Sequence, residues 1–270
     1  SCSPNTVHWT IDAYALTNAP ASVLVEQGKD TWFFITMDVP SGADLERFAT
    51  EQVVRRGGRV VGSVKHPLNL SDFAAFLLPA QVSKAKVIAL CNGGTDVINA
   101  VKQAVEFGIP QSGTTLVTPA AYITEFHAIG PQIAQGTLVS DVFYWDRNQA
   151  CRDFSRRFGA RLRGHMPTEF QAGAYSATIH YLKAAAALGD TTNGRAVVAK
   201  MKEIPTDDPL FGKGSIRADG LKMHPVYLFQ IKTPAESTSE WDLYKQIGSV
   251  ATAKAWRPME EEGCQLVSKS

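Results

Sequence analysis

Over its first 140 residues the chain alternates repeatedly between short β-branched or aromatic runs and longer stretches of helical periodicity. The alternation predicts a helix over 12–27, a strand over 31–37 ("TWFFITM") and a helix over 42–56 closed by Gly57-Gly58. A strand over 59–64 ("RVVGSV") follows, then a helix opened by Ser71 in which Pro79 marks a kink or an early stop. A strand over 86–91, a helix over 95–107 ended by Gly108 and a strand over 114–118 complete the series. Strands separated by helices of this length make βαβ units with right-handed crossovers, hence an α/β fold with a mostly parallel sheet.

Beyond residue 141 the pattern turns helical. "FYWDRNQACRDFSRRFGARL" runs from a strand end into a helix with a basic face, Thr168 caps a long helix, and a shorter helix covers 193–202. "GKGSIRADG" reads as a hairpin-like connection, "VYLFQI" and "WDLYKQI" as two more strands, and the chain after about residue 250 as a polar wrap. The expected organisation is an α/β lobe over 6–140 and 206–248, a mainly helical part over 141–205, and a C-terminal tail over 249–270. The helices of 146–205 carry apolar faces without strands of their own, so either they cover the single sheet or the chain lacks a partner strand set, a cover that a homodimer would supply.

Charge and motifs remove several function classes. A net charge of +1 provides no field for nucleic acid or an anionic membrane. The basic stretch Arg152, Arg156, Arg157, Arg161 and Arg163 is interrupted by Asp153 and lacks stacking aromatics, so it reads as a solvated helix face. No apolar run reaches the roughly 18 residues of a membrane span, and no signal-peptide pattern opens the chain. Ser1 is then a mature or cut end, or the start of a cytoplasmic protein. No G-x-S-x-G, S-x-x-K, Walker, H-E-x-x-H or paired C-x-x-C pattern is present, and "GKG" at 212–214 lacks the rest of a dinucleotide fingerprint. His165 and Glu169 straddle a helix start, which is poor metal geometry, and Asp207 and Asp208 read as solvated carboxylates. No catalytic residue, metal or cofactor is expected. Cys91 and Cys151 read as buried free thiols. Cys2 and Cys264 lie near opposite ends of the chain, where termini often meet, and their pairing would imply an oxidising compartment.

What remains is a set of strand ends. Asp38 to Gly42, "CNGGTD" at 91–96 and "TPAAYITEF" at 118–126 all follow parallel strands and should open on one edge of the sheet. Asn92, Gly93 and Gly94 place backbone amides at a helix N-terminus, which favours a carboxylate; Thr95 and Asp96 read equally as helix caps. Convergence of three loops makes the edge a ligand-site candidate.

Taken together, "TWFFITMDVPSG", "GGRVVGSVKHPLNLSDFAAFLL", "KAKVIALCNGGTDVINAVKQAVEFGI", "FYWD", "QAGAYSATIHYLKA" and "IRADG…MHPVYLFQIKTPAES…WDLY" resemble the type I periplasmic substrate-binding proteins of ABC transporters. The resemblance runs over nearly the whole chain and is strongest to the branched-chain-amino-acid-like group, which includes binders of aromatic carboxylates. It implies a type I periplasmic-binding-protein fold in which two lobes, joined by hinge strands, close on a ligand. Such proteins are non-catalytic, act in the periplasm and hand the ligand to an ABC permease. Family members carry a further segment before the point matching Ser1. The resemblance thus implies one complete parallel-sheet lobe and a partial, mainly helical second lobe.

The resemblance also implies roles for individual residues. Asn92, Gly93 and Thr95 would receive polar ligand groups, while Val39, Ser41 and Tyr122 would shape the wall. Where relatives show D-Y-x-F-G, this chain has Val39 and Ser41 around Pro40, which removes two aromatics from the site. Ala120 follows Pro119 where branched-chain binders have a glutamate for the ammonium group, which argues against an α-amino acid ligand. Glu125 reads as structural, and the Cys2–Cys264 pairing is favoured. The implied function is solute binding for uptake of a small organic acid, aromatic acids included. The alternative is an interaction module that oligomerises through the face left by the missing segment.

Overall fold

The strand Thr31–Met37 (β1) is buried through its first six residues without alternation, the mark of a central parallel strand covered on both faces. The computed structural model describes residues 2–261 and 263–267. β1 sits in a seven-stranded sheet of order β2-β1-β3-β4-β5-β8-β9. Here β2 is Arg59–His66, β3 Val87–Cys91, β4 Thr115–Thr118 and β5 Leu138–Asp141, with the intervening β6 and β7 described below, β8 Val226–Ile231 and β9 Tyr244–Val250. The first five strands pair in parallel, and β8 and β9 add antiparallel. The connecting helices are α1 (Ala13–Glu26), α2 (Pro40–Arg55), α3 (Ala74–Val82), α4 (Gly94–Glu106), α5 (Ile123–Ile129) and the single turn α6 (Pro131–Ala134). Trp32, Phe34, Val53, Val87, Ala89, Val117 and Leu228 are completely buried in one apolar core beneath α1 and α2.

Local chemistry moves several predicted boundaries. α2 begins at Pro40 rather than 42, because proline's missing N–H and fixed φ suit the first helical turn. Ser71 does not open α3; Asp72 accepts the Ala74 amide through Oδ1 (2.9 Å), and Pro79 lies inside a helix that continues to Val82. β9 starts at Tyr244, three residues later than "WDLYKQI" suggested, since Trp241 to Leu243 form a turn in which Leu243 N–H reaches Trp241 O (3.0 Å).

The chain divides into two units, one of Asp12–Asp141 and Val226–Val250, the other of the chain up to Ile11, Val142–Pro225 and the chain from Ala251. The second contains α7 (Gln149–Arg161), α8 (Glu169–Leu188), α9 (Gly194–Glu203), the short β6 (Thr206–Asp208) and β7 (Gly212–Gly214), and α10 (Thr252–Ala255). This grouping differs from the expected one, which set residues 6–11 and 206–225 with the sheet and left the tail separate. Long-range bonds explain the difference. Trp9 Nε1–H donates to Ser176 Oγ (2.8 Å), whose hydroxyl donates to Asp208 Oδ2 (2.9 Å). Asp208 is therefore buried rather than solvated, and its other oxygen accepts the Leu210 and Phe211 amides (2.9 and 2.8 Å). Cys2 and Cys264 are joined as a disulfide with Cα atoms 5.5 Å apart, while Cys91 and Cys151 are free and buried.

Candidate functional site

The strand order reverses at β1, with β2 on one side and β3 on the other, and a crevice at such a switch point lies beyond the carboxyl ends of the strands. Asp38 N–H donates to His66 O (2.8 Å), tying the ends of β1 and β2 together. Val39 is the extended N-cap of α2 and lacks a side-chain cap bond; it is half-buried, and Ser41 is exposed on the first helical turn. Gly42 is buried because nothing larger fits: a Cβ there would lie 2.2 Å from Met37 O and 3.3 Å from Cys91 O. The start of α2 is thus pressed against the ends of both β1 and β3. Gly42→Ala is expected to destabilise this unit by about 2 kcal/mol and displace the first loop, since overpacking against backbone cannot relax by a rotamer change. Urea unfolding measures the first effect; an unchanged midpoint would show that the close approach is absent.

The second loop follows β3. Asn92 is 1% exposed, and Gly93 is the extended N-cap of α4, with no side-chain cap bond. A Cβ on Gly93 would stand 3.3 Å from Ala120 O, so this loop also touches the third. Gly94 takes φ +60, a conformation that side chains rarely adopt, and Thr95 is exposed on the first turn. Asp96 is buried and accepts the Asn69 and Leu70 amides (3.1 and 2.8 Å), so it holds the β2–α3 loop and leaves the start of α4 uncapped. Gln103 continues that clasp, accepting Phe73 N–H (2.7 Å) and donating to Ser71 O (2.7 Å).

In the third loop the Thr118 hydroxyl donates to Leu138 O (3.1 Å), and half-buried Tyr122 is the N-cap of α5. Glu125 Oε2 accepts the Tyr122 amide (3.1 Å) and the Thr124 hydroxyl (2.9 Å), a capping role. Val39, Ser41, Asn92, Gly93, Thr95 and Tyr122 therefore all follow carboxyl ends of parallel strands, in loops of which the first approaches the end of β3 and the second touches the third.

One residue of this edge is missed by sequence reasoning. His66 closes β2, is fully buried, and packs edge-on against Phe73 and Phe76 (centroids 4.9 and 6.0 Å). Its Nε2 lies 3.2 Å from Asn92 Nδ2. The only sequence signal was a histidine at a strand end before Pro67. Chemically the edge offers hydrogen bonds and a helix dipole. Burial, and then the nearby Glu46 carboxylate, push the Cys91 thiol up, so it stays protonated and is no nucleophile.

A topological switch point with an uncapped helix start beside it is the arrangement in which open α/β sheets hold small ligands. A family model described as periplasmic binding protein matches residues 1–238, and the chain belongs to that family, the type I binding proteins of ABC transporters. A periplasmic binding protein from Burkholderia mallei is 40% identical, with a TM-score of 0.91 over 99% of this chain and 70% of its own. A branched chain amino acid ABC transporter periplasmic ligand-binding protein from Burkholderia xenovorans LB400 is 30% identical, with a TM-score of 0.91 over 98% of this chain and 70% of its own. A solute binding protein of an ABC transporter from Rhodopseudomonas palustris BisB5, in complex with 3,4-dihydroxy benzoic acid, shares the fold at 20% identity, with a TM-score of 0.74 over 88% of this chain and 65% of its own. Among curated proteins none matches. At the level of the family, members bind small molecules, work with ABC permeases outside the cytoplasm and are generally non-catalytic. Among the described residues no helix is long and apolar enough to cross a membrane.

Proposed function

We propose that the chain is the solute-binding component of an ABC uptake system, holding a small organic acid in the periplasm for delivery to a permease. The observation that carries this reading is the uncapped start of α4 at Gly93, set between the other two loops at the sheet edge. A carboxylate placed there gains the backbone amides and the helix dipole, about 0.3–1 kcal/mol for the dipole alone and up to about 2 when partly buried. Asn92, Gly93 and Thr95 serve the polar end, with Val39, Ser41 and Tyr122 as wall. Ala120 in place of a carboxylate supports an acid over an α-amino acid. Aromatic acids are supported by fold relatives in complex with benzoate and 4-hydroxybenzoate.

The test is native mass spectrometry of gently purified protein, followed by calorimetric titration with benzoate, the hydroxybenzoates and leucine. The expected result is a dissociable acid adduct and a micromolar Kd, about 8 kcal/mol, for at least one acid and none for leucine. No adduct and no heat with any acid would overturn it.

A second reading, self-association through the helical unit, is favoured by its exposed apolar side chains. Leu162, Phe170 and Leu182 are 47%, 48% and 53% exposed. Leu162 also lines a hollow of about 420 Å³ with Phe154, Phe158 and Tyr175, rimmed by Arg157 and Arg161. An adduct-free stable oligomer in the same spectra would select this reading.

A further inference from the structure

A recess opens on the edge of the sheet opposite those three loops, where β4 and β5 begin. It holds about 400 Å³ and lies wholly within the unit of Asp12–Asp141 and Val226–Val250, a size at the lower end of small-molecule sites. Buried Leu24, Leu116 and Leu138 give it an apolar lining, and Lys29 is the one charged residue among those that line it. The backbone fixes where that lysine stands. Gly28 takes φ +81 just past α1, Lys29 N–H donates to Leu24 O (2.9 Å), and Lys29 O accepts the Trp32 indole N–H (2.9 Å). Half-buried, its ammonium reaches across to β4 and donates to Thr115 Oγ1 (2.5 Å). Among the described residues Lys29 has no carboxylate partner; the adjacent Asp30 pairs instead with Lys86 (2.8 Å). The Thr115 hydroxyl, having accepted from Lys29, keeps its own proton for an acceptor, and the ammonium keeps its other N–H donors. Gln27, Gln135 and Thr137 line the same space with carboxamides and a hydroxyl, groups that both donate and accept and so match the hydroxyls of a ligand.

We propose that this recess is a further small-molecule site, for a hydroxylated monoanion of the sugar-acid type. The Lys29 ammonium and the Thr115 hydroxyl take the anionic group, and the carboxamides take the hydroxyls. One cation with no carboxylate beside it suits a single negative charge, and the anion supplies the charged partner that the protein withholds. The site stands apart from the candidate cleft: Thr115 opens β4, while the loop carrying Tyr122 follows the other end of that strand at Thr118. It does not depend on what the cleft binds.

The test is amide NMR of the intact chain titrated with gluconate, with sorbitol as the neutral match and hexanoate as the anion without hydroxyls. Gluconate is expected to shift the amides of Lys29, Thr115 and Thr137 and to leave Gly93 and Thr95 in place, with sorbitol and hexanoate each weaker by about tenfold. Lys29→Met is expected to weaken gluconate by about tenfold and to leave sorbitol unchanged. Thr115→Val keeps the shape and the backbone bond to Lys86 O (2.9 Å), and is expected to weaken gluconate by about fivefold; it serves as the second variant should Lys29→Met fail to fold. Shifts confined to Gly93 and Thr95 would put the anion in the cleft, and an absence of shifts would show that the recess takes no such ligand. Sorbitol binding as well as gluconate would remove the role of charge, and equal weakening of both by Lys29→Met would give the lysine to the fold. Each of these four results overturns the proposal.

Discussion

Acidification from pH 6.5 to about 3 is expected to cost the helical unit about 5 kcal/mol through His224 alone, and His224→Phe is expected to abolish that loss. His224 is 1% exposed, its ring lies edge-on to Trp256 (4.8 Å) and tilted over Phe211 (5.2 Å), and its Nε2 has no hydrogen-bond partner. Burial, and then the neighbouring Lys222 charge, hold the imidazole down at about 3 against an ordinary 6.5. The folded value lies below the unfolded one, so between them the unfolded chain binds the extra proton. Stability therefore rises with pH across this window and is lost as pH falls through it, fully so below about 3. A loss of this size is comparable to the total stability of many domains. The measurement is urea unfolding across pH 3 to 7, with hydrogen exchange assigning the transition to the unit; flanking carboxylates contribute equally to both proteins. Parallel pH profiles for wild type and His224→Phe would sink the argument.

The second large effect runs the other way along the pH scale. Lys222 is completely buried, its Nζ is 3.8 Å from Asp208 Oδ2 without a hydrogen bond, and the rings of Trp9 and Phe211 flank it at 5.2 and 4.8 Å. Burial brings it down to about 8 from 10.5, with the Asp208 charge pulling upward. Between those values only the unfolded chain holds the proton, so stability is expected to rise by about 3 kcal/mol as pH increases from about 8 to 10.5. Lys222→Met keeps the volume, removes this slope and is expected to stabilise the unit at pH 7 by a similar amount. The shift already sets the Asp208 attraction against burial, and Asp208 keeps the Ser176 hydroxyl and two amides. A destabilised Lys222→Met would show that the ion pair outweighs its desolvation. Because Lys222 also depresses His224, Lys222→Met should shrink the acid loss as well, so the two substitutions will not add.

Neither residue could be singled out from the sequence. A lysine and a histidine two apart in "LKMHP" carry no periodic signal, and burial comes from Trp9 and Phe211, which the fold brings in from elsewhere. Asp208 fails for the same reason: adjacent aspartates in a polar stretch resemble a solvated turn until Ser176, 32 residues away, reaches one of them. The position of the candidate edge was legible in part. Asn92 and Gly93 stand where a strand pattern stops and a helix pattern starts, so position along the chain was enough. His66 was not legible, since its meaning depends on an asparagine 26 residues later.

By itself the sequence determined the α/β class, the alternating order of the first four strands and their helices, and the edge on which those strands end. Those follow from local periodicity and from the handedness of βαβ units, which need no knowledge of distant contacts. The tertiary structure alone decided which stretches group with the helices, which charged side chains are buried, and which way the Asn92 amide faces. Burial and hydrogen-bond polarity are properties of pairs of residues far apart in sequence, and only the packed chain brings such pairs into contact.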